Sequence, residues 1–152
     1  METLDIADAP LRSRLMNLYL TLDAFPEVPQ MLERLKTAGP KTAILSNGFP
    51  SMLNAAVKNA KTGRLLDEVL SVETVGVYKP HTTVYQLAVD RLGIEPRAIS
   101  FQSSNAWDAY AASALGMRVV WCNRYSQRLE RLPGNLDRQI TSLGELPALV
   151  GA

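Results

Sequence analysis

Apolar residues recur along this chain in two alternating rhythms: stretches stepped by three or four residues, and short unbroken runs. Leu11, Leu15, Leu18 and Leu22 stand at helical spacing behind a Pro10 that a first helical turn tolerates, so a helix is expected from about Leu11 to Leu22. A second is expected from near Pro26, with Val28, Met31, Leu32 and Leu35 on one face and Gly39 as its stop. The run Thr42–Leu45 then reads as a short buried strand, followed by the turn-like Ser46-Asn47-Gly48. Val69–Val72, Ile99–Phe101 and Arg118–Cys122 read as further strands. Between the strands fall expected helices at Pro50–Asn59, Thr82–Leu92 and Ala106–Leu115, the last two closed by Gly93 and Gly116. Val84, Leu87, Ala88 and Leu92 form the inward face of the middle one.

Past Cys122 the pattern weakens. Asn123–Gly134, rich in Arg and Gln, reads as a loop, Asp137–Thr141 as a last short strand and Glu145–Val150 as a terminal helical turn. Strands alternating with helices imply an α/β fold, a Rossmann-like parallel sheet flanked by helices and joined by right-handed crossovers. Two helices before the first strand are unusual in a class whose sites usually use an early βα turn.

A chain of 152 residues, 47% hydrophobic and 20% charged, has the length and composition of one folded domain. Sixteen Lys and Arg against fifteen Asp and Glu leave a net charge of +1, without the basic field that gathers nucleic acid or acidic membrane. Neither partner is expected. The single Cys122 sits in an apolar run, where it packs as a small hydrophobic side chain and suits a reducing compartment. The start Met1-Glu2-Thr3-Leu4-Asp5 lacks the basic opening and apolar core of a signal peptide, so a cytoplasmic location is expected.

Ligands of open α/β sheets gather at the carboxyl ends of the strands, and polar groups cluster there in this sequence. Ser46-Asn47-Gly48 is either a simple turn or a hydroxyl and amide pair able to hold an anion. Lys79, held extended by Pro80, is either a solvated charge or an ammonium reaching across the sheet edge, with Tyr85 close enough in sequence to steady it. Ser103-Ser104-Asn105-Ala106-Trp107-Asp108 brings hydroxyl, amide, indole and carboxylate together after the third strand run. Asn105 with Asp108 three residues on also has the spacing of a helix capping box. His81, the only histidine, is expected in solvent at a helix start.

Four separated blocks carry a resemblance: Leu45-Ser46-Asn47-Gly48; Tyr78-Lys79-Pro80 with Val84-Tyr85; Ser103 to Asp108; and Trp121 with Asn123-Arg124. In that order the chain resembles the (S)-2-haloacid dehalogenases of the haloacid dehalogenase superfamily, from about Leu11 to near the C-terminus. The resemblance implies hydrolysis of a short-chain 2-haloacid, with water, through an aspartyl ester and with inversion at C2. It further implies that Ser46 binds the substrate carboxylate and that Asn47 and Trp107 form part of the halide cradle. Lys79 would pair with the nucleophile, supported by Tyr85, and Asp108, helped by Ser103 and Asn105, would position Lys79 and the hydrolytic water.

No cofactor and no metal are implied. The superfamily's Mg²⁺-dependent phosphatases, the rival reading, carry acidic ligands where this chain has the neutral Ser103-Ser104-Asn105. The family's first strand with its nucleophilic aspartate, and most of its helical cap, find no counterpart in the sequence. Asp23, the nearest Asp-led imitation, follows a helical pattern and is rejected as nucleophile. Residues 1–24 are accordingly expected to be a remnant of cap helix and junction, and 25–152 a partial core domain whose sheet has an unfilled central position. Partnership with a missing N-terminal segment, or a homodimer, would follow. The alternative is a non-catalytic remnant or an anion-binding or interaction subunit.

Overall fold

The computed structural model describes residues 8–152, so the acidic start Met1–Asp5 lies outside the described residues. Helix α1 runs Ala9–Leu18 and tightens into a 3₁₀ turn at Tyr19–Thr21. Asp8 caps it, its carboxylate accepting the Leu11 N–H at 2.8 Å, and none of its residues is buried. The leucine spacing thus specified a helix without specifying a surface to cover it. Helix α2 (Val28–Ala38) starts two residues later than expected and buries Met31, Leu32 and Leu35. Gly39, at φ 102°, ends it in the left-handed region where glycine carries no Cβ penalty.

Strands β1 (Ala43–Ser46) and β2 (Glu68–Ser71) follow, separated by α3 (Pro50–Asn59). They pair in parallel, with Ser46 opposite Ser71 at the carboxyl end. Helix α4 (Thr82–Leu92) leads to β3 (Ser100–Ser103), α5 (Ala106–Ala114) and β4 (Arg118–Cys122). The third strand therefore extends two residues beyond the expected Phe101 and takes Ser103 into the sheet. A short β5 (Arg138–Ile140) and the turn α6 (Leu146–Leu149) complete the chain. Among the described residues no helix is long and apolar enough to cross a membrane.

The main core lies where α4 and α5 meet β3 and β4. Val84, Tyr85, Ala109, Ala112 and Val119 have no exposed surface. Alanines on α5 let that helix sit close to the strands, and each fully buried Val contributes about 1.5–3 kcal/mol through removal of apolar surface from water. Cys122 is buried with Val120 and Ile140, as its apolar surroundings in the sequence suggested.

The parallel α/β class is as expected, and among the described residues the strands fall in two parallel sheets: β1–β2 is one and β3–β4–β5 the other, and β1 and β3 are not paired with each other. A cavity of about 900 Å³ separates them, at the place where the sheet was expected to have an unfilled position. Backbone groups along a strand require a partner of matching spacing, which β1 and β3 do not offer each other across this gap.

Candidate active site

The polar residues singled out in the sequence come together at the carboxyl ends of β1 and β3. The turn after β1 is held locally: Gly48 N–H donates to Ser46 Oγ at 3.0 Å, and the Ser71 hydroxyl of β2 donates to the Gly48 carbonyl at 2.7 Å. Ser46 therefore has the simple turn role as well as a half-buried sheet-end position. Asn47 Oδ1 accepts the Lys79 backbone N–H at 2.9 Å, fixing the segment before α4 against the end of β1. With its oxygen so engaged, the side-chain NH₂ of Asn47 is the end left to face an anion.

Lys79 and Asp108 form the centre. Nζ lies 3.0 Å from Asp108 Oδ2, and both side chains are nearly out of solvent, at 8% and 7% exposure. The carboxylate accepts two further hydrogen bonds, from Tyr85 Oη at 2.7 Å and from Ser103 Oγ at 2.8 Å. Asn105 N–H in turn donates to Ser103 Oγ at 3.1 Å. Burial, and then the neighbouring Asp108 carboxylate, push the Tyr85 phenol well above its usual range, so it stays protonated as a donor. An ion pair buried this deeply is tolerated only when the remaining lone pairs are satisfied, and Tyr85 and Ser103 do that here.

This use of Asp108 corrects the capping-box expectation. Asn105 occupies the N-cap of α5 with no side-chain cap hydrogen bond. The Asp108 oxygens are drawn to the buried ammonium, phenol and hydroxyl, a stronger demand than an exposed backbone N–H makes. Asn105 thus joins the cluster through its backbone only. Trp107 does not join it: the residue is 37% exposed and takes no part in these bonds. His81 sits in solvent at the start of α4, as expected, with Nδ1 accepting the Thr83 N–H at 3.3 Å. Asp23 is exposed and accepts from Asn59 Nδ2 at 3.1 Å, apart from the Lys79 cluster.

Two contributors went unmarked in the sequence. Phe101 places its ring centroid 5.0 Å from Lys79 Nζ, a cation–π distance, and stacks edge-on with Tyr85 at 5.7 Å. It precedes Ser103 by two residues on β3 and so shares its face, a period-two signal that was available. Ser71 carried no comparable signal, because its place beside the Ser46–Gly48 turn depends on strand register.

A carboxylate already accepting three hydrogen bonds is poorly placed to attack carbon, whereas an ammonium has three donors, of which one is spent on Asp108. Chemically, the cluster presents a rigid, buried cation beside an open sheet end. It is fitted to hold a second anion.

Comparison with known proteins agrees with this fold. The family model of haloacid dehalogenase-like hydrolases matches residues 4–116, and the chain belongs to that family. Over 136 residues it is 45% identical to (S)-2-haloacid dehalogenase 4A of Burkholderia cepacia, covering 90% of this chain and 59% of that protein. The crystal structure of a dehalogenase with an intermediate complex superposes with a TM-score of 0.90 at 43% identity, over 97% of this chain and 66% of the other. The L-2-haloacid dehalogenase from Xanthobacter autotrophicus with chloropropionic acid covalently bound gives 0.89 at 32% identity, over 99% and 71%. The chain thus spans about three-fifths of the length of the Burkholderia relative.

Proposed function

We propose that this chain forms the Lys79–Asp108 half of a site for hydrolytic dehalogenation of short-chain (S)-2-haloacids to (R)-2-hydroxyacids. Residues 25–152 are the partial core domain and residues 1–24 the cap remnant and junction. The observation that carries the reading is the buried ammonium of Lys79, locked by Asp108, Tyr85 and Ser103 and facing an open sheet end. A nucleophilic carboxylate is supplied from outside the described residues. Lys79 keeps it ionised, since an opposite charge within a few ångströms favours the charged form.

The carboxylate oxygen attacks C2 as the carbon–halogen bond breaks, inverting that carbon, and halide leaves with the bonding pair. Asn47 NH₂ and Trp107 N–H cradle the halide, and Ser46 receives the substrate carboxylate. Water oriented by Asp108, with Ser103 and Asn105 holding that carboxylate in place, then attacks the ester carbonyl. The ester's C–O bond to the substrate breaks, the departing alkoxide takes up a proton and the original carboxylate returns. C2 is untouched in this second step.

Halide release from (S)-2-chloropropionate tests the proposal. The chain alone is expected to release none. Adding the polypeptide of the Burkholderia relative that lies outside its match to this chain is expected to start release of chloride and of (R)-lactate. Lys79→Met and Asp108→Asn should each lower the rescued rate at least about a hundredfold, the scale of losing a positioned electrostatic group. Release should continue in a chelator. Phosphate-ester hydrolysis that requires Mg²⁺, without halide release, would place the chain with the superfamily's phosphatases. Release by the chain alone, abolished by Asp23→Asn, would return the nucleophile to Asp23.

A further inference from the structure

Trp121 carries part of the resemblance seen in the sequence, yet the chemistry proposed above gives it no task. It stands in β4 opposite Ser103 in register and is 1% exposed, whereas Trp107 is 37% exposed. Its side chain packs in one buried cluster with Ala106 and Tyr110 of α5. Any large apolar side chain would serve that packing. An indole also carries a donor, and a buried donor requires an acceptor. Trp121 Nε1–H donates to the Ser104 carbonyl at 3.1 Å.

The acceptor belongs to the turn that holds Asp108. Ser104 C=O and Asn105 N–H are the two polar ends of one trans peptide, and they point in opposite directions from a rigid plane. Holding one end therefore aims the other. Asn105 N–H donates to Ser103 Oγ at 3.1 Å, and Ser103 Oγ donates to Asp108 Oδ2 at 2.8 Å, the same oxygen that Lys79 Nζ meets at 3.0 Å. A hydroxyl has one proton and two lone pairs. With a lone pair of Ser103 Oγ taken by Asn105 N–H, the proton is left for Asp108. Turned over, the same peptide would present its carbonyl to Ser103, whose proton would then go there and leave Asp108 one donor short. Asn105 makes no side-chain cap bond at the start of α5, so the indole decides which way this peptide faces. All three donors point toward the carboxylate, and in such a chain each bond polarises the next.

We propose that Trp121 is a positioning residue whose indole N–H, acting through the Ser104–Asn105 peptide, directs the Ser103 hydroxyl proton onto Asp108. Resting on the function proposed above, this relay keeps the Asp108–Lys79 pair aligned for both steps of the reaction.

The test removes the donor and keeps the shape. In the full chain Trp121 is exchanged for benzothienylalanine, in which sulfur stands in place of the indole N–H. The carboxyl carbon of isotopically labelled Asp108, observed by NMR, reports what that carboxylate accepts. Ser103→Ala is expected to move this signal, and the benzothienyl residue to move it in the same direction. Exchange of the Asn105 amide should quicken at least about tenfold while the amides of β4 keep their rates. Combined with Ser103→Ala, the benzothienyl residue should add nothing further, because the relay is already cut. A second variant leaves Trp121 and its packing untouched: an ester in place of the Ser104–Asn105 amide removes the middle donor and should move the Asp108 signal likewise. In the enzyme restored by the added polypeptide, kcat for chloride release should fall at least about tenfold with KM nearly unchanged.

An Asp108 signal that Ser103→Ala moves and the benzothienyl residue does not would overturn the proposal and leave Trp121 a packing residue. An undiminished effect in the Ser103→Ala background would overturn it too, as would an ester variant with the parent's signal. Chloride release at the parent's rate in the benzothienyl enzyme would remove the positioning role. The expected signal changes in a chain that releases no halide under any condition would support the relay and remove the proposed chemistry.

Discussion

Asp108 shows at the residue scale how burial changes the worth of a contact. Its carboxylate and the Lys79 ammonium are 7% and 8% exposed, whereas the Arg64–Glu33 pair is 78% and 53% exposed at a similar 3.0 Å separation. Removing one member of a buried pair strands a charge in low dielectric, so Asp108→Asn is expected to destabilise the fold by about 3–5 kcal/mol. Glu33→Gln should cost less than about 1 kcal/mol, because water already screens that pair. Tyr85→Phe removes one donor to a charged acceptor and should fall between them, at about 1.5–3 kcal/mol. Urea unfolding of the three variants measures the order. Equal losses for Asp108→Asn and Glu33→Gln would show that the central pair is far more solvated than its geometry implies.

Between elements, a second polar cluster ties the loop after β4 to the start of α2. Arg124 pairs with Glu27, its guanidinium lies 3.9 Å above the Phe25 ring, and Ser142 Oγ donates to the same Glu27 carboxylate at 3.1 Å. The hydrogen bond from Arg124 is the main reason that Glu27 ionises below its ordinary 4.5. Its folded value is lowered, so the stabilisation is fully present above pH 4.5 and is lost as pH falls through the folded value. The unfolding midpoint should therefore drop on acidification below about pH 4.5, and Glu27→Gln should flatten that limb while lowering stability at neutral pH. A limb unchanged by Glu27→Gln would assign the acid sensitivity to other carboxylates, such as Asp67 and Glu145, whose values are also lowered.

For the whole molecule the open features are apolar. Leu15, Leu18, Tyr19 and Leu22 are each between 44% and 58% exposed along α1 and the turn after it, and the gap between β1 and β3 leaves two strand edges unpaired. Such surfaces favour self-association. Sedimentation velocity is expected to show mass rising with concentration, and Leu15→Glu with Leu18→Glu should reduce it. A species that stays monomeric at every concentration would show that neither surface is sticky.

Much of this molecule was legible from local chemistry. Apolar spacing and glycine stops placed α3 and α4 at their observed bounds, and the parallel α/β class followed from alternation. The polar groups after the strand runs single out Lys79, Tyr85, Ser103 and Asp108, which hydrogen bonds join in the fold. These are properties of neighbours in sequence, where turn propensity and periodicity act over a few residues. Tertiary structure decided the rest. Only packing could turn Asp108 from the expected helix cap to a buried ammonium 29 positions away. Register alone set Ser71 beside the Ser46 turn, and the separation of β1 from β3 left α/β strands with unpaired edges. Each depends on contacts between distant residues, whose energies a local pattern does not contain.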